Sequence, residues 1–97
     1  MKLLTKAILK TLPKIGSGNG TALVKFFNPC GAGTWFASEF DGTDLFFGWA
    51  MLLPGCGEYG YFSLSELASV KLLAGLGIER DMYFTPCPME KAIERYK

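Results

Sequence analysis

Between residues 21 and 62 the chain offers four strand-like segments with only short turn-rich stretches between them, and this pattern most constrains its fold. Thr21–Phe27 reads as the first strand. Asn28–Gly33 (NPCGAG) is dense in turn residues, and Thr34–Phe40 (TWFASEF) returns from it. Asp41-Gly42 is a second turn signal before Leu45–Leu53, which is apolar on both faces and therefore reads as a central or covered strand. Pro54–Gly57 turns the chain again into Glu58–Phe62. Connections this short cannot hold crossover helices, so the strands pair as an antiparallel meander.

Helical signals flank this block. Leu4, Ile8 and Leu12 recur every fourth residue, and Lys2, Lys6, Lys10 and Lys14 repeat with the same period on the opposite side. Pro13 ends that helix, and Lys14–Gly20 reads as a loop. Ser63-Leu64-Ser65-Glu66 is a capping box, in which Ser63 caps the Glu66 amide and Glu66 reaches back to the N–H of Ser63. It predicts a helix over Leu64–Leu73, ended by Gly75 or Gly77. Ile78–Phe84 alternates as a fifth strand, and Pro88 opens a last helix with Met89, Ala92, Ile93 and Tyr96 on one stripe. The expectation is one α+β domain over residues 1–97. It has an antiparallel sheet of about five strands, an N-terminal helix, a helix after strand four and a C-terminal helix. Helices on one face would leave about half the strand side chains pointing away from them.

Composition narrows the chemistry. At 49% hydrophobic and 20% charged, the 97 residues carry enough apolar material for a modest core. No apolar run approaches the ~20 residues of a membrane-spanning helix. Lys6 and Lys10 interrupt the apolar start, so a secretory signal is not expected, and a cytoplasmic setting without membrane attachment is. The chain has no histidine, which removes Ser-His and Cys-His nucleophilic pairs and a histidine general base. Cys30, Cys56 and Cys87 are too scattered to suggest a zinc site and read as free thiols. Nothing in the pattern calls for a cofactor.

Three groups remain as candidates. Residues 26–70 carry five acids, no base and eleven of the fourteen aromatics, so the strands are unusually rich in rings. Trp35, Trp49, Tyr59 and Tyr61 are therefore candidates for a partner-binding sheet face, against the plainer reading that they fill the core. Lys6, Lys10 and Lys14 could contact phosphates, although a solvated helix face and a net charge of +1 argue the other way. Glu39, Asp41 and Asp44 could hold a metal through oxygens, as a nuclease requires, but turns also favour Asp for local hydrogen bonding. The glycines of Gly16–Gly20 follow a helix and lack a phosphate-loop ending, so they read as a linker.

The segments MKLLTKAILKTLPKI, VKFFNP, TWFASEFD, GYFSLSELASV and GIERDMYFTPCPME, in this order, resemble the bacterial and phage-borne family catalogued as domain of unknown function 2958. The resemblance spans nearly the whole chain. It implies a small protein of plasmids, phages or other mobile elements and supplies no catalytic residues. The leading expectation is a non-enzymatic binding protein that engages a host or element-encoded protein in counter-defence or in plasmid or phage maintenance. The alternative is a metal-dependent single-stranded DNA nuclease or single-stranded DNA binder.

Overall fold

A computed structural model describes residues 4–72 and 75–96. Lys2 of the lysine stripe and Leu73 at the expected end of the second helix lie outside the described residues. The architecture is α+β. Helix α1 (Lys6–Leu9) precedes β1 (Thr21–Ala22), β2 (Val24–Phe27), β3 (Thr34–Phe40), β4 (Leu45–Met51) and β5 (Gly57–Ser63). Helix α2 (Leu64–Ser69), β6 (Glu79–Arg80), β7 (Cys87–Pro88) and α3 (Met89–Ile93) follow, and a short 3₁₀ turn covers Glu94–Tyr96. The main sheet is antiparallel in the order β5-β4-β3-β2-β6, so the four consecutive strands form the expected meander and β6 returns beside β2.

The strand buried along its whole length is β3, in the middle of the sheet. The run Leu45–Leu53 reads as a central or covered strand, and β4 is indeed interior to the sheet, but it stops at Met51. Leu52 and Leu53 are exposed in the turn that precedes β5, where the Cys56 N–H donates to the Leu53 carbonyl. The first strand is also interrupted. Leu23 breaks it, donating to the Ala37 carbonyl at 2.9 Å, and β1 pairs with β7 instead of continuing along β3.

Both faces of the sheet are covered, which corrects the expectation of helices on one face only. One core gathers Val24, Phe26, Trp35, Phe40 and Phe46 under Leu4 and Leu12 from the α1 segment and Leu67 from α2. The other gathers Phe36, Trp49 and Met51 under Met89, Ala92 and Ile93 from α3. The β1–β7 ladder, with the Met89 N–H donating to the Gly20 carbonyl at 2.7 Å, ties the C-terminal segment over this second face. Lys25 lies 5.7 Å from the Tyr96 ring centre and 3.6 Å from Asp81, bridging the second face to the turn after β6.

A β-bulge decides which residues enter the first core. Strict alternation from Trp35 through Ala37 would carry Glu39 inward and leave Phe40 out. The register shifts between Ala37 and Glu39, so that Glu39 stands opposite Phe47 and Phe40 opposite Phe46. Phe40 then packs 4.8 Å from Phe46, ring centre to ring centre. Beside the bulge, Gly48 passes so close to β3 that a Cβ there would lie 1.8 Å from the Phe36 carbonyl oxygen.

The peripheral elements are shorter than the periodicity predicts. In α1, Thr5 caps the Ile8 amide, and Thr11 and Leu12 then donate to carbonyls only three residues back. Pro13 disfavours continued α-helix at Leu12, so the chain turns away after one turn. In α2, the Ser69 hydroxyl bonds back to the Glu66 carbonyl at 2.8 Å, and Val70 adopts extended backbone. Strand β6 ends because Asp81 opens a turn, accepting the Tyr83 N–H at 2.9 Å.

Candidate functional site

The most distinctive surface is the free edge of β5. The backbone phase of this strand follows from two hydrogen bonds. The Leu64 N–H donates to Asp44 O at 2.8 Å, just beyond the Leu45–Ser63 rung, and the Asp41 N–H donates to Leu45 O at 2.9 Å on the β3 side. Leu45 therefore directs its own peptide groups toward β3, and the Leu45–Ser63 rung is of the non-hydrogen-bonded kind. Rungs alternate along an antiparallel ladder. Phe47–Tyr61, Trp49–Tyr59 and Met51–Gly57 share this character, so the N–H and C=O groups of Gly57, Tyr59 and Tyr61 point outward.

Side chains frame that edge on both sides. On the face of the second core, Tyr59 and Tyr61 are 53% and 62% exposed and flank Phe47, at 6.5 Å stacked and 5.2 Å edge-on. On the opposite face, a groove of about 560 Å³ runs between β5 and α2. Trp35, Phe62 and Leu67 contribute to its floor and Leu53, Val70, Glu58 and Glu66 to its sides. Gly57 gives Trp49 room, since a Cβ there would meet the indole at 1.8 Å, whereas a Cβ on Gly60 would meet nothing within 4 Å.

The four aromatic candidates thus separate. Trp35 and Trp49 are 9% and 4% exposed and belong to the first and second core respectively, so neither stands on an open sheet face. Their strands are interior, and each face is roofed by other elements. Tyr59 and Tyr61 lie on the edge strand and stay more than half exposed, although Met89 and Glu90 at the start of α3 share a depression with Tyr59. Phe47, Leu53, Val70 and the two glutamates were not among the sequence candidates. The available signal was positional: the last strand of a meander lies at an edge unless a later strand joins it.

The three carboxylates each organise a loop. Glu39 is buried and accepts from the Gly16 and Asn19 amides at 2.9 and 2.8 Å and from the Ser17 hydroxyl at 3.1 Å. Burial pushes its pKa up, but these hydrogen bonds outweigh that and hold the carboxyl below its ordinary value. Asp41 accepts the Thr43, Asp44 and Leu45 amides, which lowers its pKa. Asp44 accepts from the hydroxyls of Ser63 and Ser65 and from the Ser65 amide, with the same direction of shift. Ser63 caps the Glu66 amide at 3.3 Å as the capping box predicts, while Asp44 supplies the carboxylate at this helix start and Glu66 stands exposed. Among the described residues, no group of three or more Cys, Asp or Glu side chains is placed to hold a metal ion.

Lys6, Lys10 and Lys14 are exposed on and just after α1. Cys30 and Cys56 are exposed free thiols, and Cys87 is a half-buried one in β7. Among the described residues, no helix is long and apolar enough to cross a membrane.

A family profile described as "Protein of unknown function (DUF2958)" matches residues 6–95. The chain belongs to this family. In this DUF2958 chain the match runs from α1 to the C-terminal turn, so it takes in both edges of the sheet. No match was found among curated proteins or among solved structures.

Proposed function

We propose that this DUF2958 protein is a non-enzymatic protein-binding module that takes an extended segment of its partner onto the β5 edge by strand addition. The observation that carries the reading is the run of outward peptide groups at Gly57, Tyr59 and Tyr61, bordered by exposed rings on one face and an apolar groove on the other. Main-chain pairing supplies affinity in this mode, and pockets for alternate side chains supply selectivity. A seven-residue edge with one charged residue and no proline is a surface that proteins otherwise blunt. Carriage on plasmids, phages or other mobile elements, which the resemblance to this family implies, suggests the setting: a host or element-encoded partner, in counter-defence or in plasmid or phage maintenance.

The test is site-specific photo-crosslinking in a bacterial lysate, with the photoreactive residue at position 59 and, as control, at position 10. Proteins captured from position 59 alone, and lost when Tyr61→Pro removes an outward N–H, are the expected result. Capture that survives Tyr61→Pro in a correctly folded protein sinks the reading.

A further inference from the structure

At this same edge, charge selects among occupants. On the groove side, Glu58 and Glu66 flank an apolar floor. On the tyrosine side, Glu90 joins Phe47 and Tyr59 around a smaller depression of about 210 Å³. Among the described residues that line the two, there is no lysine or arginine. Residues 26–70, which contain the whole β3–β5 region, carry five acids and no base although the chain as a whole is +1. The edge is thus locally acidic on both of its faces, and its exposed rings present π-surfaces that attract guanidinium and ammonium groups.

We infer that the occupant of the β5 edge is an extended cationic segment of a partner protein, in which apolar side chains alternate with arginine or lysine. This rests on the strand-addition reading and specifies its partner's chemistry. Successive side chains of an added strand point to opposite faces of the sheet. Apolar ones enter the groove over Phe62 and Leu67. The intervening cations lie across Tyr59 and Tyr61 toward Glu90, while Glu58 and Glu66 on the groove side add negative charge that favours a cationic segment over a neutral or acidic one. An acidic strand meets like charge on either face. A second copy of β5 meets the same repulsion, since it brings its own Glu58 and no base.

The experiment measures fluorescence anisotropy of labelled alternating peptides with the full-length protein: Val-Arg, Val-Thr and Val-Glu repeats, and a Val-Arg repeat N-methylated at every second amide. The Val-Arg peptide is expected to bind in the roughly micromolar range and at least about tenfold tighter than Val-Thr. Its affinity is expected to fall about tenfold on the double replacement Glu58→Lys/Glu66→Lys, and to vanish on N-methylation. Equal affinity for Val-Arg and Val-Thr, both abolished by N-methylation, overturns the cationic assignment and leaves strand addition standing. Val-Arg binding that tolerates N-methylation overturns both, because it marks adsorption without strand pairing. Sedimentation of the protein alone as a dimer that Tyr61→Pro separates assigns the edge to a second copy and overturns the inference.

Discussion

The two edges of one sheet are built differently. At one edge, β6 has two residues, both charged, and Asp81 turns the chain out of the sheet immediately after them. That is a short, charged edge of the kind that resists adding another strand. At the other edge, β5 runs for seven residues with two glycines, two exposed tyrosines and a single carboxylate. The same chain therefore closes one border and leaves the other able to pair. The difference separates what β5 does for the fold, on its inner side, from what it offers outside.

The largest effects belong to the interior of the sheet, on β4 beside β5. Gly48 and Gly60 face each other on one rung of the β4–β5 ladder, yet they have opposite surroundings. A methyl at Gly48 drives into the Phe36 carbonyl, which is backbone and cannot swing aside. Gly48→Ala is expected to cost at least about 3 kcal/mol and to leave little folded protein. Gly60→Ala meets open space and is expected to change stability by less than about 0.5 kcal/mol. Chemical denaturation of the two variants decides the matter, and similar midpoints would show that the close approach of β4 to β3 at Gly48 imposes no constraint that the edge strand lacks. Phe46→Ala extends the contrast, because a fully buried ring among Phe26, Phe40 and Phe62 is lost. About 3–5 kcal/mol is expected in the same assay.

A smaller effect follows from Glu39, which ties the loop before β1 to the interior of the sheet. Its folded-state pKa lies below the ordinary 4.5, so the unfolded chain binds more protons as pH falls through that region. Stability from this group is therefore fully present above about pH 4.5 and is lost as pH drops through the lower, folded value. Asp41 and Asp44 shift in the same direction from 3.8, extending the loss to more acid conditions. Glu39→Gln is expected to cost about 1.5–3 kcal/mol near neutral pH and to flatten the acid limb of the melting-temperature profile. A variant whose acid limb keeps the wild-type slope would show that the Gly16 and Asn19 amides do not depend on this carboxylate.

How much of this was legible in the sequence differs by region. The meander was readable because its turns carry strong local chemistry, and the Ser63 cap because Ser63-x-x-Glu66 is a local motif. The bulge at Ser38 was not, since no local residue announces it. It is set by the tertiary gain of placing Phe40, and not Glu39, in the first core. Helix lengths failed where backbone competition won: Thr11 and Pro13 at α1, Ser69 at α2. The aromatic candidates were half legible. Composition says that strands are rich in rings, while burial depends on which strand is interior, and that is a property of strand order. Trp35 and Trp49 went inside and Tyr59 and Tyr61 stayed out for that reason alone. Glu39, Asp41 and Asp44 fall within six residues of sequence, but each carboxylate turns to a different set of loop amides and hydroxyls.

A small stability effect gives the sharpest test of the comparison. Replacing Tyr59 and Tyr61 by lysine gives β5 the charge that guards β6, without touching either core. Their rings are more than half exposed, so the double variant is expected to unfold within about 1 kcal/mol of the wild type. Its behaviour as a surface should change far more. A cationic strand should no longer dock against two added like charges, which fluorescence anisotropy with the Val-Arg peptide reads directly. If lysine at these positions instead costs several kcal/mol, the tyrosines are structural and the open border is an extension of the second core. If stability holds while docking of the peptide stays at the wild-type level, β5 is not the border that pairs.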